Sequence, residues 1–383
     1  MIGPDGQGTP GTGTPSGRPK LGSVAIQDFP WEAGSATGIG SMPGTDPAEA
    51  MRVIAGELPG FPHLPELPDR GPGGDLTGRT AALLVDIPAE VSPRGWRLAE
   101  RPGRDLARAR AMLSSDLDVL EEVLQGFRGP VKIQLCGPWT LAATLELPKT
   151  LNVALADPGA VADLTSSLAE GAAAHVAEVA KRVPGARLIV QFDEPALPAV
   201  TAGLVPTASG LSRLAAVEPD TVRDRLGQVL ASAGAYTVVH CCAAAVPFGI
   251  IQAAGADGLA FDLSQLRRGE EDRVAEAAEA GMGLLTGAVP AVPASDAGAD
   301  GPGQAGPTGP GDGSAEARET AERVIRLWRR LGLPLATCAE QAVITPACGL
   351  AGASPGQARA ALTRCREAAG MLAELIEETG GEQ

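Results

Sequence analysis

The fold class that the sequence predicts is α/β, and within it a single (β/α)8 TIM barrel formed by residues 31–383. Apolar runs of four to six residues alternate along the chain with longer segments that repeat apolar residues at helical spacing. Runs of this kind are typical of parallel strands that are buried on both faces. Eight such alternations favour a closed barrel. The alternative, an open doubly wound sheet, is disfavoured because no glycine-rich dinucleotide-binding sequence follows any run.

The strands and helices follow from this alternation. The predicted strands are, in chain order, residues 36–41, 81–86, 131–135, 187–192, 235–240, 258–262, 283–286 and 341–345. The predicted helices include residues 105–125, 157–182, 270–280, 315–331 and 354–378. Ser354 and Pro355 suit the start of the last helix, because serine is a good N-cap and proline is tolerated in the first turn.

Two stretches are rich in Gly and Pro and lack helix or strand patterns. Residues 1–30 are predicted to be a disordered tail. Residues from about 293 to 314 are predicted to be a flexible loop inserted in the barrel. Strand and helix patterns resume after this loop, so we do not expect a domain boundary there.

Charge and composition exclude several classes of function. The net charge of −15 disfavours binding to nucleic acid or to an anionic membrane surface, since both need clustered Lys and Arg. No apolar run is long enough to span a membrane, and the N-terminus lacks the apolar segment of a secretory signal. We therefore expect a cytoplasmic protein, in which its six cysteines serve as metal or catalytic groups more readily than as disulfides.

The end of the fifth predicted strand carries the clearest chemical signal. His240 and Cys242 lie two residues apart, so their side chains share one face of an extended chain. Imidazole nitrogen and thiolate sulfur are ligands that zinc prefers. Cys348, at the end of the eighth strand, supplies a third ligand if the barrel closes. The alternative is a pair of packed, inert cysteines beside a hydrogen-bonded histidine.

Other strand ends carry further candidates. Asp262 ends the sixth strand and is either a fourth metal ligand or a loop carboxylate. Asp193 and Glu194 end the fourth strand, where an acidic pair suits a substrate ammonium group; a solvated strand end is the alternative. Gly38 and Gly40, in the first strand, allow the backbone to approach a ligand closely.

These motifs together resemble the catalytic barrel of the cobalamin-independent methionine synthases. The resemblance covers the chain from about residue 36 to the C-terminus, and the order and spacing of its segments are more specific than any one motif. The segments are Ile39-Gly40-Ser41-Met42-Pro43, Gly137-Pro138-Trp139-Thr140-Leu141, Asp193-Glu194-Pro195-Ala196-Leu197, His240-Cys241-Cys242, residues 256–262 and Pro346-Ala347-Cys348-Gly349-Leu350.

The resemblance implies a zinc-dependent methyltransferase that forms methionine from homocysteine. It implies Zn²⁺ ligands at His240, Cys242 and Cys348, with Asp262 in place of the family's glutamate, one methylene shorter. It further implies that Asp193 and the segment Ile39, Gly40 and Ser41 hold the homocysteine backbone.

Three departures from the family pattern bear on the methyl donor. The full-length family enzyme has two barrels, whereas this chain has room for one. The family's His-Ser-Pro segment, whose histidine assists proton transfer, is replaced by Ala288-Val289-Pro290, and the residues that the family places near folate are replaced by residues 142–145. A methyl-folate needs protonation of its leaving nitrogen and a methyl-corrinoid does not. We therefore favour a corrinoid donor, free or carried on a corrinoid protein, over folate.

Two other functions are compatible with the same residues. One is a zinc-dependent alkyltransferase that acts on a thiol other than homocysteine. The other is a non-catalytic protein that binds zinc or thiols, which would fit the loss of the histidine and the aspartate at the fourth ligand position.

Overall fold

The strands form one parallel sheet and one small hairpin. The computed structural model describes residues 28–291 and 313–380, and every element named here lies within these ranges. The hairpin pairs β1 (Ala89–Ser92) with β2 (Gly95–Leu98) in antiparallel register. The sheet has six parallel strands that lie side by side in chain order. They are β3 (Gly129–Cys136), β4 (Ala186–Asp193), β5 (Tyr236–Cys241), β6 (Gly258–Asp262), β7 (Gly283–Val289) and β8 (Ala342–Pro346).

Helices connect the strands and cover one side of the sheet. They are α1 (Pro47–Glu57), α2 (Leu76–Ala81), α3 (Arg104–Val123), α4 (Pro138–Thr144), α5 (Pro158–Arg182), α6 (Leu197–Thr201), α7 (Pro219–Ser232), α8 (Phe248–Ala253), α9 (Glu271–Glu279), α10 (Gly313–Arg330), α11 (Cys338–Gln341) and α12 (Pro355–Gly380). Short 3₁₀ turns lie at Pro68–Arg70, Ala154–Ala156, Arg268–Glu270 and Leu335–Thr337. The long helices predicted from the sequence are confirmed.

Aspartate side chains fix where several helices begin. Asp46 accepts a hydrogen bond from Ala48 N (2.8 Å) at the start of α1. Asp157 does the same from Gly159 N (2.8 Å) at the start of α5, with Pro158 in its first turn. These oxygens satisfy N–H groups that have no partner inside the helix, so the sequence sets these boundaries locally.

Alternate residues of each strand face opposite sides of the sheet, and both sides are packed. On the outer side, Val190 and Phe192 belong to the same apolar cluster as helix residues such as Leu168 and Trp328. On the inner side, a separate apolar cluster lies near the amino ends of the strands. It consists of Trp31, Phe61, Ile189, Val238, Ala260, Leu285 and Val343. The sheet therefore curls around an apolar layer.

The inner side becomes polar toward the carboxyl ends of the strands. Gln191, His240 and Thr345 stand two residues beyond members of the inner apolar cluster, and all three are buried. Lys132 and Gln134 are buried polar residues of β3. Burying a polar group costs free energy unless it is hydrogen-bonded. This layer is therefore where packing alone does not explain the residue types.

Six of the eight predicted strands, the third to the eighth, are confirmed with boundaries shifted by at most three residues. The predicted strand at residues 81–86 is wrong. Leu76–Ala81 form α2 instead, capped by the Asp75 carboxylate on Gly78 N (2.9 Å). Asp86 has a φ of 58°, which is left-handed rather than extended. Ala81 ends α2, and residues 82–85 form the turn that follows it.

Extended backbone flanks both edges of the sheet. Beside β3, Leu64 N donates to Lys132 O (2.9 Å) and Lys132 N donates to Pro62 O (3.0 Å). Beside β8, Thr37 N donates to Ile344 O (3.2 Å) and Ile344 N donates to Ser35 O (3.1 Å). The predicted first strand, residues 36–41, is thus present only as isolated bridges.

The two flanking segments also bond to each other. Met42 N donates to Glu66 O (2.8 Å), and Glu66 N donates to Gly40 O (3.1 Å). The described ranges therefore hold a TIM-barrel-like α/β fold with six regular parallel strands, and eight regular strands in one barrel are not found in them.

The two stretches predicted to be flexible lie almost entirely outside the described residues. Only residues 28–30 of the predicted tail are described, and only residues 313 and 314 of the predicted loop, where α10 begins. Among the helices within the described ranges, none has the length and apolar character needed to cross a membrane.

We expect Trp31→Ala to destabilise the fold by about 3–5 kcal/mol, the usual cost of removing a large buried aromatic side chain. Trp31 is 4% exposed, stacks on Phe61 at 5.9 Å between ring centroids, and donates from its indole nitrogen to Glu340 O (3.0 Å). Urea unfolding followed by circular dichroism measures the change.

The control is Leu211→Ala, because Leu211 is 92% exposed and its loss should change stability by less than about 0.5 kcal/mol. If the two variants unfolded at the same urea concentration, Trp31 would not stabilise the inner apolar cluster as we expect.

Candidate functional site

His240 and Asp193 form a buried pair at the carboxyl end of the sheet. They are direct partners in the register of β4 and β5, and His240 Nδ1 lies 2.6 Å from Asp193 Oδ1. The other ring nitrogen, Nε2, is buried and has no hydrogen-bond partner among the described residues. A carboxylate that accepts the Nδ1 proton leaves the lone pair on Nε2, so the ring is oriented to bind a ligand through that nitrogen.

Cys242 and Cys348 bring two sulfurs together at the same end. Cys242 follows β5 and Cys348 follows β8, both are half-buried, and their Sγ atoms lie 3.1 Å apart. The hydrogen bond from Cys242 lowers the pKa of Cys348 to about 6, although burial opposes this shift. The same hydrogen bond raises the pKa of Cys242 well above that of a free thiol. The geometry therefore allows the Cys242 thiol to donate a hydrogen bond to a Cys348 thiolate.

The three predicted ligands belong to two neighbouring pairs. His240 pairs with Asp193, and Cys242 pairs with Cys348. Within residues 28–291 and 313–380, no group of three or more His, Cys, Asp or Glu side chains is arranged to hold a metal ion. The donor types nevertheless fit zinc: Nε2 of His240 is free, and Asp193 supports the ring from behind, as carboxylates do behind metal-binding histidines. Metal binding at this site stays a prediction.

Asp262 lies at the end of β6 and is engaged in its own loop. Its Oδ1 accepts hydrogen bonds from Ser264 N (2.8 Å) and Ser264 Oγ (2.7 Å). This is the local turn geometry that a loop carboxylate adopts. Its role as a fourth ligand is therefore also still a prediction, and it would require these hydrogen bonds to be exchanged for the metal.

Glu194 is fully buried and anchors α4. One of its oxygens accepts from Trp139 N (2.9 Å), and the other accepts from Thr140 N (2.7 Å) and Thr140 Oγ1 (2.7 Å). Burial raises the pKa of Glu194 to about 7, although these hydrogen bonds oppose the rise. Its contacts connect two of the sequence motifs to each other, and substrate binding by Glu194 remains untested.

Residues Ile39, Gly40 and Ser41 lie beside the turn that carries Cys348. Leu350 N donates to Ser41 O (2.8 Å). A Cβ atom added to Gly349 would lie 2.0 Å from Ser41 Oγ, so any other residue there would require the Ser41 hydroxyl to move. The predicted backbone-binding segment and the predicted sulfur ligand are therefore neighbours in space.

Sequence reasoning missed three buried polar residues in the same layer, Glu66, Lys132 and Gln191. Burial lowers the pKa of Lys132 to about 8, opposed by the negative charges of Asp193 and Glu66. Burial raises the pKa of Glu66 to about 7, opposed mainly by the charge of Arg79. The sequence signal that could have revealed them is a polar residue inside an otherwise apolar strand, as at Lys132 and Gln191.

No protein-family model matches the chain, and no curated protein sequence matches it. Two solved structures resemble it, each with a TM-score of 0.54 and 14% sequence identity. One is a B12-independent methionine synthase from Shewanella sp. W3-18-1 in complex with selenomethionine, for which 91% of this chain and 100% of that chain are covered. The other is a methyltransferase from Methanosarcina mazei, with 88% and 94% covered. The chain therefore shares the fold of these two proteins, which confirms at that level the resemblance drawn from its motifs.

Proposed function

We propose that the chain is a zinc-dependent methyltransferase that transfers a methyl group to the thiol of homocysteine and forms methionine. The observation that carries this proposal is the unpartnered, buried Nε2 of His240 at the strand ends where Cys242 and Cys348 hold their sulfurs 3.1 Å apart. The shared fold with a methionine synthase and a methyltransferase supports it.

In this proposal His240, Cys242 and Cys348 hold the zinc, with Asp262 as the fourth protein group. Bound zinc supplies one piece of chemistry: it lowers the pKa of an incoming thiol so that the sulfur is a nucleophile near neutral pH. Asp193 accepts the Nδ1 proton of His240 and holds the ring in one orientation.

The amino-acid part of the substrate would bind beside the sulfurs. Both hydrogen bonds that the described residues give to Asp193 use Oδ1, from His240 and from Gln191. Oδ2 is thus free to accept from a substrate ammonium group, and Glu66 adds negative charge nearby when ionised. The backbone of Ile39, Gly40 and Ser41 would face the substrate carboxylate.

The carboxyl end of β7 favours a donor whose leaving group needs no proton. Ala288 and Val289 are buried and apolar, and the Ala288 carbonyl is occupied by Arg323 Nη1 (3.0 Å). No acid therefore stands at this position to protonate a leaving nitrogen. We propose a methyl-corrinoid donor, free or carried on a corrinoid protein, in preference to a methyl-folate.

We also propose that the two flanking segments complete a (β/α)8 barrel, so that all the site residues share one rim. The hydrogen bonds from β8 to residues 35–37, from residues 40–42 to Glu66, and from residues 62–64 to β3 support this closure. The amides of Thr37, Met42 and Leu64 should then exchange with deuterium as slowly as those of β8, and fast exchange would argue for an open sheet.

Cys348→Ser should abolish stoichiometric zinc binding and methyl transfer to homocysteine, because serine is a much poorer zinc ligand than a thiolate. Zinc content measured by atomic emission and methionine formation from a methyl-corrinoid are the readouts. Cys241→Ser is the matched control, since Cys241 is buried and lies between His240 and Cys242 in the sequence.

Zinc retained in Cys348→Ser would refute the ligand assignment. Turnover on methyl-folate alone would refute the proposed donor. Zinc bound in the wild type without transfer from either donor would instead support the non-catalytic alternative.

In metal-free protein, alkylation of Cys348 by iodoacetamide should rise with pH through about 6, because the thiolate is the reactive form and its pKa is lowered to about 6. Cys242→Ala removes the hydrogen-bond donor and should move this midpoint upward. Peptide-resolved mass spectrometry measures the rate at each pH.

Cys241 provides an internal comparison in the same peptide mixture. Burial raises the pKa of Cys241 to about 12, so it should not react below pH 9. The contrary result is that Cys348 of the wild type reacts with the pH midpoint of a free thiol and that Cys242→Ala leaves this midpoint unchanged. That result would contradict a hydrogen bond between the two cysteines.

A further inference from the structure

A chain of buried hydrogen bonds connects the backbone at Ile39 with the His240–Asp193 pair. The Ile39 carbonyl accepts from Lys132 Nζ (2.6 Å) and from Gln191 Nε2 (2.9 Å). The same Gln191 nitrogen donates its second hydrogen to Asp193 Oδ1 (2.8 Å). A single side-chain amide therefore connects the segment at Ile39 with the carboxylate that orients His240.

Two donors on one carbonyl fix the orientation of the peptide that follows it. The peptide unit is planar and trans, so holding the Ile39 C=O also sets the direction of the Gly40 N–H, which points the opposite way. Across the two described ranges, neither the Gly40 N–H nor the Ser41 N–H has a hydrogen-bond partner. Adjacent free N–H groups of this kind suit a carboxylate.

Packing does not explain Lys132 and Gln191. Both side chains are completely buried, and a lysine ammonium group in that environment is costly unless it is paired and hydrogen-bonded. The Lys132 ammonium group donates to the Ile39 carbonyl and to Gln134 Oε1 (3.3 Å). The negative charge of Asp193 lies nearby, so these groups together offset the cost of burial. Apolar residues at both positions would fill the same space without these requirements but would leave the Ile39 carbonyl unbound.

We propose that Lys132 and Gln191 are positioning residues that fix the Ile39–Gly40–Ser41 backbone relative to Asp193, so that the protein selects thiols carrying an α-amino-acid group. This inference rests on the proposed function, because it concerns how the same site recognises homocysteine. Neither residue needs to touch the reacting sulfur, and their effect would be on substrate recognition rather than on the methyl transfer itself.

The test compares two thiols that differ only in the amino-acid group, homocysteine and propane-1-thiol, on zinc-loaded protein. Gln191→Met keeps the length of the side chain but removes both hydrogen bonds. It should weaken homocysteine binding about tenfold, since loss of a buried hydrogen bond is worth roughly that factor. Calorimetric affinity for propane-1-thiol should stay unchanged, and in assays KM for homocysteine should rise with little change in kcat.

Gln341→Met is the matched control. Gln341 is also a buried glutamine whose Nε2 donates twice, to Ala278 O (2.7 Å) and Met282 O (2.8 Å), but it lies before β8, at the amino end of the sheet. It should leave the affinity for both thiols unchanged. Lys132→Met removes the other donor to Ile39 and should show the same selective loss, which provides a second reading if Gln191→Met does not fold.

Two outcomes separate failure of this inference from failure of the proposed function. In the first outcome the wild type prefers homocysteine, and the folded Gln191→Met and Lys132→Met variants either keep that preference or lose affinity for both thiols equally. This result would overturn the positioning role alone. A wild-type protein that binds the two thiols equally would overturn homocysteine as the substrate, and the inference with it.

Discussion

The site depends on the hydrogen bond between Asp193 and His240. Neighbouring strands β4 and β5 place these residues opposite each other, so the sheet register itself fixes the 2.6 Å contact. A buried carboxylate needs such a partner, and the histidine needs the carboxylate to expose one defined nitrogen. A slip of β5 by one residue in this register would turn His240 to the helix-covered side and away from Asp193. The alternation that builds the apolar core therefore also builds the site.

The division of the sheet interior into two layers explains how one fold serves stability and chemistry together. The apolar layer around Trp31 and Val238 lies at the amino ends of the strands and fills the inside of the curled sheet there. Beyond it, Lys132, Gln191 and His240 replace apolar contacts with hydrogen bonds. Such a polar layer is stable only if its members satisfy one another, which is why they form a connected chain and not separate pairs.

Sequence patterns predicted the parts of the fold that rest on local physics. The last six strands were predictable because each is a short, mostly apolar run that lies between helical patterns. Residues 62–66 were missed because Pro62 and Pro65 carry no N–H group, and their strand pattern is correspondingly weak. The run at 81–86 misled because short apolar runs without clear periodicity are not specific to strands; here Ala81 ends α2 and the residues after it form a turn. For the site, the shared face of His240 and Cys242 followed from spacing, whereas the roles of Lys132 and Gln191 required knowing which carbonyl they reach.

The unpartnered Nε2 of His240 gives the proposed chemistry an energetic argument. A buried polar atom without a partner costs about 1–3 kcal/mol of stability, and no packing contact recovers it. Asp193 adds to this cost, because it holds the ring in the orientation that keeps Nε2 away from the β4 partner strand. A ligand that binds Nε2 removes the penalty. Cys348 Sγ lies at the same strand ends, 3.1 Å from Cys242 Sγ. In the proposed function, a divalent ion of the zinc type would bind Nε2 and these sulfurs at once.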